Sequence, residues 1–276
     1  PGKKISKATL ERLKKVVLKS INPSDKDDLV LTKGLHYHPI IKWGDPINKS
    51  DTFGFNNDFT CFIPLDENNP TDGLLWVNHE YINPLFVSGY NPRNKNEKRT
   101  KDQVNKEMYQ VGGSIIRIKE ENGTWRVVQN DPLNRRITAK TPMQLNWDDP
   151  IKGKHTVIGT LANCSGGITP WKTFLTCEEN YDNFYGETVY DQNNKPKHIP
   201  SKYNKWEQFY EYPPEHYGWV VEVNPKDGLC QKHVALGRFA HECCTLYELE
   251  DKRIVAYSGD DANDEHLYKF ISSKPS

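Results

Sequence analysis

Carboxylates at the ends of apolar strands are the residues of this chain best suited to chemistry. LWVNHEY (75–81), FLTCEEN (174–180) and IVAYSGDD (254–261) each run from apolar residues into polar and acidic ones, and GRFAHE (237–242) ends in a glutamate. Side chains alternate across a strand. Aligning the first two stretches pairs Asn78 with Cys177 and Glu80 with Glu179, so each strand presents both of its members on one face. Glu178 points the other way. Carboxylates converging on one rim cannot all stay ionised unaided, so either their pKa values rise or cations bind between them. Oxygen ligands suit a hard ion such as calcium, whereas a thiolate among carboxylates suits iron or another transition metal. SGDDANDEH (258–266) adds Asp260, Asp261, Asp264 and Glu265 without EF-hand spacing, and FNNDF (55–59) adds Asn56, Asn57 and Asp58. A solvated turn explains any one of these; what the stretches share is placement after apolar runs. His79 and His241 each precede a glutamate, but neighbours on a strand face opposite ways. No H-E-x-x-H occurs, which excludes a zincin motif.

Such acids need strands to carry them. Residues 6–21 read as an amphipathic helix, with Leu10, Leu13, Val17 and Ile21 at helical spacing, Ser6 as cap and Asn22-Pro23 as stop. Beyond it the period becomes two. Short strands rich in Val, Ile, Thr, Trp and Tyr alternate with turn signals, and Asn122-Gly123 and Asp227-Gly228 read as hairpin turns. The acid-ended strands lie roughly a hundred residues apart, so two four-stranded blades per interval would suit a β-propeller. The expected class is all-β, with residues 1–22 a helical segment and 23–276 a partial propeller. Residues 86–110 form a charged insertion with a helical part, and residues 181–216 a polar, aromatic-rich excursion. Long loops on an all-β scaffold often carry function.

Composition bounds the partners. The 37 basic and 37 acidic side chains cancel, which argues against nucleic acid, whose binders cluster Lys and Arg on phosphates. No apolar run approaches the ~20 residues that span a bilayer. The chain opens at Pro1 with neither Met nor signal peptide, so location is not legible at the N-terminus. Six cysteines without a C-x-x-C exclude a zinc ribbon and point to buried thiols with one bridge at most.

NCSGGITPWKTFLTCEEN (163–180) closely resembles a signature of the PhoX family of alkaline phosphatases. So, in the family's order, do WGDP (43–46), FGFNNDF (53–59), LWVNHEY, GWVVEVNP (218–225), GRFAHE and YSGDDANDEHLYKF (257–270). The resemblance implies a six-bladed propeller with an iron and calcium cluster on its axis, in an exported, periplasmic or extracellular phosphomonoesterase that is a monomer when full-length. It implies Glu80, Glu178 or Glu179, and Glu242 as ligands, with Asp260, Asp261 and Glu265 on the calcium side. The family places one cysteine on iron, and both Cys164, beside Ser165-Gly166-Gly167, and Cys177 match. No catalytic residue beyond the metal ligands and no phosphate-binding arginine is assignable; Arg238 in GRFAHE is a candidate secondary contact for substrate. The family's later Arg-Pro-Glu motif is absent, so the expectation is a match to roughly the N-terminal half of a member, an open arc of blades short of one glutamate and one arginine. Two rival readings are a calcium-dependent propeller hydrolase of the lactonase or phosphotriesterase kind, and a non-catalytic binding propeller stabilised by calcium.

Overall fold

The computed structural model describes residues 19–276. Most of the helix expected over 6–21 lies outside the described residues. Ile41–Ser276 forms one compact unit, and residues 19–40 hold only bends and turns.

The compact unit is mostly β. Its first sheet contains β1 (Asn57–Asp66), β2 (Asn69–His79), β3 (Gly112–Glu121), β4 (Thr124–Val127) and β5 (Arg135–Ile137). β1 to β4 run in sequence order, and β5 also pairs with β3. The turn between β3 and β4 is Asn122-Gly123, both at positive φ, as the dipeptide predicts. The second sheet has the order β7-β6-β13-β12-β9-β8. Its strands are β6 (Pro142–Leu145), β7 (Thr156–Ile158), β8 (Asn163–Ile168), β9 (Phe174–Glu178), β12 (Val220–Val223) and β13 (Cys230–Lys232). Between β9 and β12 lies a separate ribbon of β10 (Glu187–Tyr190) and β11 (Pro196–Ile199). The third sheet is β14 (Thr245–Glu248), β15 (Arg253–Gly259) and β16 (Leu267–Pro275).

The second sheet is apolar on both sides. One face meets the first sheet through Trp76, Ile115, Phe174, Val221 and Val223, and the other meets the third through Leu175, Cys177, Val220 and Ala256. Alternation along β9 therefore sends Phe174 one way and Leu175 the other, which is why all five of its residues are buried. The charged insertion does contain a helix, α2 (Lys101–Gln110), after the single turn α1 (Pro84–Val87). Thr100 and Gln103 close a reciprocal capping box at its start.

Candidate metal centre

β2, β9 and β15 all deliver acids, two at their ends and one by way of a bridge. Glu80 follows β2, with its backbone N–H donated to the Asn56 carbonyl at 3.1 Å. Glu179 follows β9 and donates its own N–H to Ala162 at 3.0 Å. Glu242 follows His241, which bridges Asp260 at the end of β15, and its N–H reaches Gly259 at 3.1 Å. His241 also donates its N–H to the Glu178 carbonyl at 3.2 Å, which holds this segment against the end of β9.

Cys164 enters by a different device. The register of β8 on β9 slips between Asn163 and Gly166, and this bulge falls on Cys164 and Ser165. A bulge re-aims a side chain, and here Cys164 Sγ joins the carboxylates. Ligand atoms of Cys164, Glu179 and Glu242 all lie within 4.8 Å of one another. The glycines after Cys164 allow close strand approach: a Cβ on Gly166 would stand 2.0 Å from the Leu175 carbonyl oxygen, and one on Gly167 2.8 Å from that of Cys244. Behind the bulge, Asn78 is fully buried; its Nδ2 donates to the Ser165 carbonyl at 3.0 Å while its Oδ1 accepts from Trp76 and Thr176. Asn78 thus clamps β2 to β8 and β9.

The acids crowd. Burial, followed by a hydrogen bond that the protonated Glu80 carboxyl gives to Asp58 and by the charges of Asp58 and Glu242, lifts Glu80 to about 7. Burial, with hydrogen bonds shared with Asp261 and Glu242, lifts Glu179 to about 8. Burial pushes the Cys164 thiol up, and Glu179, Glu242 and Glu80 push it further. No Lys or Arg forms an ion pair with Glu80, Glu179 or Glu242 among the described residues. Asp260, Asp261 and Glu265 join Glu179 around an adjoining hollow of about 370 Å³, and burial and Glu265 raise the Asp260 carboxyl.

Three expected residues are engaged elsewhere. Glu178 lies on the opposite face of β9, where its Oε1 meets Lys232 Nζ at 2.7 Å and its Oε2 accepts from the backbone N–H groups of Gly218 and Trp219. Both ionic side chains are wholly buried, so that carboxylate is already neutralised. Cys177 shares the apolar cluster between the second and third sheets with Cys164 and Cys244, and Cys164, rather than Cys177, joins the group of potential ligands. Arg238 is held by the Tyr217 and Pro214 carbonyls and the Glu187 carboxylate, and it stacks over the Tyr181 ring. These partners engage its Nε and Nη2. His79 and His241 bond Ser114 and Ser258, and burial holds both imidazoles neutral. All six cysteines are free thiols. Sequence reasoning did not give Asp58 a partner or Tyr81 a role; adjacency to a candidate ligand was the only signal for the tyrosine.

The donor set fits metal. Three ligand groups converge, two carboxyls are lifted by burial and by neighbouring acids, and the mix of thiol and carboxylate is a ligand set that metal ions take.

A family model described as alkaline phosphatase PhoX matches residues 16–276. Among solved structures, Pseudomonas fluorescens PhoX in complex with vanadate, a transition state analogue, is similar at 30% sequence identity and a TM-score of 0.77, over 94% of this chain and 51% of that one. The chain therefore spans about half the length of the structure it matches. No curated protein matches the chain.

Proposed function

The chain belongs to the PhoX family of alkaline phosphatases, and from that premise we propose that it serves phosphomonoester hydrolysis at an iron and calcium centre. Glu80, Cys164, Glu179 and Glu242 would hold the cluster, with Asp260, Asp261 and Glu265 on its calcium side. The observation that carries this reading is the convergence of Cys164, Glu179 and Glu242 ligand atoms within 4.8 Å. The vanadate complex of the Pseudomonas protein supports phosphoryl chemistry in a relative of this fold.

Cations held by these residues would supply charge neutralisation for the phosphoryl oxygens, activation of the attacking water and stabilisation of the leaving alkoxide. The chain's own residues prepare for them. Glu80 and Glu179, lifted to about 7 and 8 by burial and neighbouring acids, exchange protons for cations, so loading releases protons. Asn78 holds the bulge that turns Cys164 inward. The Lys232–Glu178 pair fixes the reverse face of the strand end that presents Glu179. On this reading the three main sheets would be blades of a propeller arc, as the family resemblance implies, with these acids toward its axis. The protein acts after export, in the periplasm or outside the cell, as a monomer. No helix among the described residues is long and apolar enough to cross a membrane.

Elemental analysis of the purified protein beside a phosphomonoester assay tests the reading. Calcium and iron together, with turnover lost on chelation, are expected. Calcium alone with lactone or phosphotriester turnover, or with no ester turnover, would overturn it, as would full activity after exhaustive chelation and desalting.

A further inference from the structure

Two excursions from the β scaffold meet beside the metal centre. The insertion around residues 84–99 and the excursion around 183–209 wall a cavity of about 980 Å³, the size of a small-molecule site. Its frame is fixed in advance. Arg99 is ion-paired to the fully buried Glu107 carboxylate and donates to the Asn204 carbonyl, while Trp206 Nε1 donates to Glu107 at 3.1 Å. One buried carboxylate thereby ties both excursions together.

The lining has two chemistries. Tyr81, Tyr203 and Phe209 offer aromatic surface, and Lys98, Lys202 and Lys205 offer charge. None of these lysines forms an ion pair among the described residues, although Lys202 lies 5.1 Å from the centre of the Tyr203 ring. Arg99 is neutralised by Glu107, and Glu97 opposes one lysine, so the walls keep a positive surplus. Tyr81 joins this cavity to the metal centre: it lines the cavity and directly follows Glu80 in the chain.

We infer that this cavity receives the leaving group of the substrate, and that it fits a flat ring bearing a second anionic group, the chemistry of a nucleotide with two separate phosphates. The inference rests on the phosphomonoesterase reading for the position of the scissile phosphate. Rings stack on aromatic faces irrespective of base identity, and ammonium groups bind phosphate as point charges. The lysines attract the second anionic group of the leaving group and so set its orientation. Hydrolysis breaks the ester P–O bond; water supplies hydroxyl to phosphorus and a proton to the departing ribose oxygen, which stays in the cavity with its remaining phosphate.

Titration calorimetry on the metal-free protein, where turnover does not interfere, tests this with adenosine 3′-monophosphate and with adenosine as probes. The phosphorylated probe should bind about tenfold more tightly. Lys202→Ala combined with Lys205→Ala should remove that advantage, and Tyr203→Ala should weaken both probes. In the unmutated protein, added salt should weaken adenosine 3′-monophosphate selectively. Equal binding of the two probes, no binding of either, or an advantage that survives loss of both lysines would overturn the assignment. In the metal-loaded protein, the lysine substitutions should lower kcat/KM for adenosine 3′,5′-bisphosphate about tenfold more than for glycerol 3-phosphate; an equal fall for both substrates would overturn it. Lysine-dependent binding in a protein that hydrolyses neither ester would support the site and refute the phosphatase reading instead.

Discussion

Replacing Lys232 with methionine should unfold the support beneath the metal centre. Lys232 and Glu178 are both wholly buried, with Nζ 2.7 Å from Oε1 and a further bond from Nζ to the His216 carbonyl at 2.8 Å. Methionine keeps the volume and removes the charge, which leaves the Glu178 carboxylate facing only the Gly218 and Trp219 N–H groups. Removing one partner of a buried pair costs about 3–5 kcal/mol, because the other charge stays in a low-dielectric site. A chain of 276 residues has an unfolding entropy near 0.6 kcal/mol per kelvin, so Tm should fall by about 5–9 °C. Adding Glu178→Gln should recover about half of the loss: it removes the stranded charge while the amide oxygen still accepts from Gly218 and Trp219. Urea unfolding followed by tryptophan fluorescence, with a thermal scan beside it, measures both variants. Lys232→Met within about 1 kcal/mol of the parent, or a second substitution that recovers nothing, would refute a charge-based account of this pair.

Glu242→Gln keeps size and removes charge, so metal content and turnover should fall together by about tenfold or more with circular dichroism unchanged; unaltered metal content would make Glu242 a surface acid only. Cys164→Ser replaces a soft donor by a hard one and should lower iron relative to calcium in elemental analysis. Stability should also fall in acid through Glu222. Burial alone would raise its carboxyl, but hydrogen bonds from His233, Thr173, Trp171 and Gln231 outweigh burial and hold it at about 2 against an ordinary 4.5. A depressed carboxyl stabilises the fold above pH 4.5, and the contribution disappears as pH drops toward 2. That contribution is about 2 kcal/mol after allowance for solvent screening. A Glu222→Gln protein should therefore lose less stability between pH 5 and pH 3 than the parent, in urea midpoints taken at each pH.

Sequence alone determined which strands end in acids and which faces those acids occupy. Period-two alternation is local: it puts Glu178 and Glu179 on opposite sides of β9 whatever packs around them, and Asn122-Gly123 fixes its hairpin through the positive φ that both residues tolerate. Which side becomes the metal centre is not local. Lys232, 54 residues from Glu178, neutralises that carboxylate. The bulge that brings Cys164, rather than Cys177, to Glu179 and Glu242 depends on the register of β8 against β9. Arg238 reads as a phosphate contact, and only the fold shows that Glu187 and the Tyr217 and Pro214 carbonyls engage its Nε and Nη2. The two long excursions carry no pattern that predicts their meeting, because a cavity walled by distant loops exists only once Glu107 has joined them. Spacing along a chain reports direction; charge balance and proximity come from chains brought together in space, and those decide which of several similar acids can hold a cation.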